Sequence, residues 1–179
     1  LNRLRYQQNM REDRHSPPRL VEVCHLMDHA PYRQQVFGEA LEEVMRYPSL
    51  VDAAQQIPKA LAFLALQIIE LGGCSTQGIF RVPGMQDEIY AIKVAIEQGD
   101  YEKAKQCKDP AVPASLLKAW FRELPTPIVP PSLYERCLAI EDDFEAAIEL
   151  LDEMPPCNQR ILRFLAKFLQ VVGHPQYHQ

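Results

Sequence analysis

Where its prolines fall constrains this chain more than any other feature. Fifteen prolines stand against seven glycines, and most of them border apolar-periodic runs instead of interrupting them. Proline lacks a backbone N–H and fixes φ, so a helix tolerates it in the first turn and expels it from the interior. The chain is thereby cut into segments that can each be a helix, joined by stiff connectors. A β-barrel with many tight turns would need more glycine, and neither a collagen repeat nor a Gly/Ser-rich disordered chain fits this balance. The segmentation predicts an all-α fold, a single helical bundle of about seven or more helices with no sheet.

The 179 residues suit roughly one domain. Such a domain buries on the order of 70% of its unfolded surface and needs no metal or disulfide staple. Nineteen Lys and Arg against 24 Asp and Glu leave a net charge of −5, without a block of like charges, which argues against a nucleic-acid partner. The five cysteines (Cys24, Cys74, Cys107, Cys137, Cys157) are an odd number and form no CxxC, unlike a disulfide framework or a zinc ribbon. The first residues lack an apolar leader core, and no stretch is long and apolar enough for a transmembrane segment. A reducing, cytoplasmic setting follows as the expectation, with recruitment to membrane or cytoskeleton left to other domains.

Residues 1–35 are polar and read as an N-terminal extension or linker, and 36–179 read as the helical domain. Val36, Phe37, Ala40, Leu41, Val44 and Met45 recur at helical spacing and predict a short helix ending near Pro48. The run from Ala60 to Leu71, after Pro58 and before Gly72-Gly73, is apolar nearly all round and predicts a central helix. Residues 74–84, CSTQGIFRVPG, predict a loop. Asp87 to Gly99 predicts a helix with Ile89, Ile92 and Ile96 on one face. Pro113 is expected to open the next helix, in which Leu116, Leu117, Trp120, Phe121 and Leu124 share an apolar sector. On nearly the opposite face Lys118 and Arg122 form a two-cation ridge toward solvent. The segment 125–131 must be extended, because prolines disfavour helix at their own position and the one before. Ser132 with Glu135, and Asp142 with Glu145, have capping-box spacing. Pro155-Pro156 introduces the last helix, with Ile161, Leu162, Leu165, Phe168, Leu169 and Val172 expected inside.

Most catalytic chemistries lack their residues here. There is no GxSxG or HExxH, and no histidine from residue 30 to 173 to serve as a base. GGCSTQG lacks the lysine of a phosphate-binding loop. The sets Cys24, His25, His29 and His174, His178 lack a third or fourth ligand, so no metal site is expected. What remains is placed positive charge: Arg81 between Phe80 and Val82, flanked by Gly78 and Gly84. If its neighbours anchor inward, its guanidinium projects outward.

Three ordered blocks, GIFRVPG (78–84), VPASLLKAWFRELPTPIVP (112–130) and MPPCNQRILRFLAKFL (154–169), resemble the RhoGAP domain, the GTPase-activating domain for Rho-family small G proteins. The resemblance runs over residues 57–179. With FGEALEEVM upstream, the wording is nearest the Vilse/CrossGAP type. It implies an all-helical bundle that stimulates GTP hydrolysis by a Rac, Cdc42 or Rho-like partner in its GTP-bound state. Arg81 matches the family's catalytic arginine in G-x-x-R-x-x-G, framed by Gly78, Phe80 and Gly84. Lys118 and Arg122 match the lysine and arginine that support the arginine loop and contact the G protein. The domain would need no cofactor of its own, since Mg²⁺ and GTP are carried by the partner, and would act on the partner's reaction instead of turning over a substrate itself. In the family a block near N-L-A-x-x-F-x-P-N follows the last helix, and its asparagine helps bind the G protein. This sequence reaches Gln179 first, so the C-terminal part of the family domain is expected to be missing. Two other readings stand beside this one: a non-catalytic G-protein-binding module of the same fold, and a helical scaffold presenting the 125–131 segment as an extended ligand.

Overall fold

A computed structural model of the chain describes residues 35–141 and 143–177; the expected extension over 1–35 lies outside them except for Gln35. Eight α-helices run through the described residues: α1 (Leu41–Arg46), α2 (Lys59–Glu70), α3 (Gln86–Glu97), α4 (Tyr101–Ala104), α5 (Ala111–Glu123), α6 (Tyr134–Ala139), α7 (Phe144–Asp152) and α8 (Pro156–Val172). The all-α expectation holds with one correction. A minimal antiparallel pair joins β1 (Val51–Asp52) to β2 (Ile57–Pro58), in the register Val51↔Pro58 and Asp52↔Ile57. Asp52 closes its turn twice over: its carbonyl accepts the Gln56 N–H (2.7 Å), and its carboxylate accepts the N–H groups of Ala54 (3.1 Å) and Gln55 (2.8 Å). An Asx turn of this kind carries no Asn-Gly or Asp-Gly signature.

The core forms where α2 packs along α5, with α3 also on α5. Leu61, Leu64 and Ile68 of α2 and Val112, Leu116 and Trp120 of α5 are fully buried. The central placement of α2 is as expected, but its apolarity is not used all round, because Leu66 and Ile69 are partly exposed. Helix α5 starts two residues before Pro113. Asp109 receives the Ala111 N–H at 2.9 Å, and Pro113 sits within the first turn, where its missing N–H costs nothing.

The first expected helix is shorter than its periodicity suggests. Residues 36 and 37 are not helical because tertiary partners have taken their backbone groups. The Glu97 carboxylate accepts both the Val36 N–H (2.9 Å) and the Phe37 N–H (3.0 Å), while the Trp120 indole N–H donates to the Val36 carbonyl (3.0 Å). Periodicity still names the right buried residues, Val36, Phe37, Leu41 and Val44.

Four further details differ. Ser132 lies in a 3-10 turn (Pro131–Leu133) and makes no cap for α6. Asp143 caps α7 through the Ala146 N–H at 3.0 Å, whereas the expected Asp142 lies outside the described residues. Asp100 caps the unexpected short helix α4 through the Lys103 N–H at 2.9 Å. On α8, Ile161, Phe168 and Val172 are buried as expected, but Leu169 is half exposed.

Replacing Glu97 by glutamine leaves one acceptor where two N–H groups converge, and Val36 and Phe37 are buried. The expected outcome is a stability loss of about 1–3 kcal/mol, read by urea unfolding. An unchanged midpoint would refute the tie.

Candidate functional site

The segment 76–82 is coiled, not extended. The Ile79 N–H donates to the Thr76 carbonyl (3.2 Å), and the Gly78 carbonyl accepts from both Arg81 (2.7 Å) and Val82 (2.9 Å). Gly78 has φ +75°, a left-handed conformation that glycine adopts without the steric cost a Cβ would add. Coiling also decides which neighbours of Arg81 anchor. The expectation that Phe80 and Val82 both point inward assumes extended backbone, where alternate residues share a side. A helical turn advances about 100° per residue, so those two side chains diverge. Ile79 is buried and Phe80 meets Phe168 edge to face, with centroids 6.3 Å apart, while Val82 is exposed. Arg81 is exposed too. Its guanidinium runs back over Gly78, where a Cβ would stand 3.7 Å from Nε and Nη2, and makes no hydrogen bond or ion pair to the described residues.

Both flanks of Arg81 are fastened to α5. On the N-terminal side, the Lys118 ammonium donates to the Phe80 carbonyl at 2.6 Å. On the C-terminal side, the Gly84 N–H donates to Ser115 Oγ at 3.3 Å. Gly84 also presses on the start of α5 so closely that a Cβ would come within 2.7 Å of Val112 Cγ2 and 2.9 Å of Val112 N. Lys118 is thus more than a solvated ridge residue. Arg122 lies one turn further along α5, exposed as expected, and no hydrogen bond or ion pair joins its guanidinium to the described residues. Beside Lys118 a groove of about 440 Å³ is lined by Phe80, Leu117, Phe121, Leu165, Phe168 and Leu169, which accounts for the exposure of Leu169.

Gly78, Phe80, Arg81, Gly84 and Lys118 are therefore brought together, and Arg122 shares only the helix. Sequence reasoning missed Ser115, whose one signal is a hydroxyl in the apolar run VPASLL. It also missed Asn158, buried with its amide donating to the Ile128 carbonyl at 2.7 Å.

The remaining chemistry-bearing groups are dispersed. No cluster of three or more His, Cys, Asp or Glu able to hold a metal occurs among the described residues; Cys24, His25, His29 and His178 lie outside them. Cys74 and Cys107 are buried, and burial pushes the thiols of Cys107 and Cys157 up in pKa, so they are poor nucleophiles. No helix among the described residues is long and apolar enough to cross a membrane.

An exposed arginine on a glycine-framed loop, held by a lysine from the neighbouring helix, sits inside a chain that belongs to the RhoGAP domain family. The family model, described as RhoGAP domain, matches residues 60–177. Among individual proteins, the chain is 35% identical over 135 residues to GTPase activating protein homolog 2 of Dictyostelium discoideum, covering 75% of this chain and 15% of that protein. It is 28% identical over 151 residues to mouse Rho GTPase-activating protein 22, covering 80% and 21%. The chain thus spans about a fifth or less of the length of these relatives. In fold it resembles human Rho GTPase activating protein 15, with a TM-score of 0.65 at 24% identity over 88% of this chain and 74% of that one.

Gly84→Ala is expected to destabilise the chain by about 1–3 kcal/mol through overpacking, because the clash is with helix backbone that cannot swing away. Denaturant unfolding measures this, and full stability in the variant would contradict the close approach.

Proposed function

We propose that this chain stimulates GTP hydrolysis by a GTP-bound Rho-family small G protein of the Rac, Cdc42 or Rho type, in a cytoplasmic setting, with Arg81 as an arginine finger supplied in trans. The observation that carries this reading is an exposed guanidinium, unpaired among the described residues, on a loop whose backbone is fastened on both sides. Phosphoryl transfer to water builds charge on the γ-phosphoryl and the β–γ bridging oxygens, and a small G protein alone leaves that charge incompletely met. A planar guanidinium can give parallel hydrogen bonds to two oxygens, which a lysine ammonium cannot reproduce. The domain then needs no nucleophile, base or cofactor of its own, because Mg²⁺ and GTP arrive with the partner.

Lys118 and Arg122 divide the supporting work in this reading. Lys118 holds the peptide just before Arg81, and Arg122, exposed one turn away, is available to the partner's acidic or carbonyl groups. Val82 and Met85, 54% and 71% exposed, offer an apolar rim beside Arg81 for the same docking. The scaffold reading is disfavoured, because the 125–131 segment is already engaged by its own domain: Ile128 is buried and its carbonyl is bound by Asn158. The retained Arg81 favours catalysis over a purely binding module.

In Ras-type GTPases an arginine finger is worth about 10³–10⁵ in rate. Arg81→Ala should therefore lose nearly all stimulated hydrolysis in a single-turnover assay while binding the GTP form within about tenfold of the parent. Undiminished rates in that variant would sink the proposal. A catalytic domain should also bind the partner loaded with GDP and aluminium fluoride more tightly than the GDP form; equal affinity for the two would favour the non-catalytic module.

A further inference from the structure

Helix α5 meets the arginine loop through three side chains spaced three residues apart: Val112, Ser115 and Lys118. Lys118 matches the lysine that the family resemblance gives a supporting role, and Ser115 lies one turn before it on the same helix. Between Arg81 and Gly84 the backbone has few donors to spare. The Val82 N–H is spent on the Gly78 carbonyl, and Pro83 has none. The Gly84 N–H is the first one left to attach the outgoing limb to the scaffold, and Ser115 Oγ receives it. Because Gly84 is buried, removing that hydroxyl would strand the donor.

Serine is also a costly choice at this place. It stands between the fully buried Ala114 and Leu116, in a helix interior where alanine is the better helix former and a free hydroxyl competes for backbone. Its contact with Gly84 accounts for a polar atom there.

We propose that Ser115 is a positioning residue for the arginine finger, acting through Gly84 as Lys118 acts through Phe80. With both ends of the 80–84 segment held, Arg81 swings from fixed anchors, and less ordering is left to complete when it enters the partner's site. The inference rests on the reading of Arg81 as the finger.

The test is single-turnover hydrolysis by a GTP-loaded Rho-family G protein at increasing concentrations of this chain, comparing Ser115→Ala, Ser115→Thr and Arg81→Ala. Ser115→Ala should lower the saturating rate about three- to tenfold, with the half-saturating concentration within about twofold of the parent. Threonine keeps the acceptor oxygen and should recover most of that rate. Amide exchange at Gly84 should accelerate in Ser115→Ala while the buried face of α5 stays protected. An unchanged saturating rate, a loss confined to the half-saturating concentration, or a loss that threonine does not recover would overturn the assignment. If Arg81→Ala is fully active, the finger reading itself fails. If Arg81→Ala is inactive while Ser115→Ala matches the parent, the positioning role alone fails.

Discussion

Burial of one face of α5 is the constraint on which the rest of the structure depends. Val112, Leu116 and Trp120 are removed from water, and each large side chain so buried contributes on the order of 1.5–3 kcal/mol. That burial sets the rotation of the helix about its axis. A step of three residues advances about 300° and so drifts back by roughly 60°, which makes Val112, Ser115 and Lys118 a stripe that winds from the core to the surface. The burial of these residues follows the drift: Val112 is inside, Ser115 half-buried and Lys118 exposed. The loop runs along this stripe, its Gly84 against the buried end and its Phe80 carbonyl at the exposed one. Packing energy is thereby converted into the position of an arginine that itself touches little.

The same helix is tied to the start of the domain. Trp120 holds the Val36 carbonyl, Glu97 holds the Val36 and Phe37 amides, and Lys93 bridges Glu123 at 2.7 Å while lying 4.9 Å from the Phe37 ring centroid. These contacts are partly or wholly buried and link segments far apart in sequence. The exposed pairs, such as Arg136 with Glu153 and Arg163 with Asp152, sit in solvent where such bridges contribute little. Stability in this domain therefore concentrates around the helix that carries the site.

Much of the fold is legible from prolines and periodicity. Helices α2, α3 and α5 each overlap their expected spans, and the buried sector of α5 is the one its spacing predicts. The misses share a cause. Residues 36 and 37 are helical in pattern but lie outside the helix because Glu97 and Trp120 take their backbone groups. The hairpin over 51–58 depends on one aspartate bonding its own turn. Val82 looks like an anchor beside Phe80 until the coil of 78–82 turns it outward. Leu169 has the spacing of a core residue but lies on a groove.

Sequence by itself determined the class of fold, because side-chain period and proline sterics act within a few residues, and its three ordered blocks carried the likeness to the family. Tertiary structure alone decided which groups hold the loop. The donors and acceptors that fasten it and tie α5 to the start of the domain lie 31 to 84 residues apart. A serine hydroxyl or a carbonyl carries no mark of its partner; the choice is made when buried polar groups must be satisfied by whatever the packed helices bring within reach.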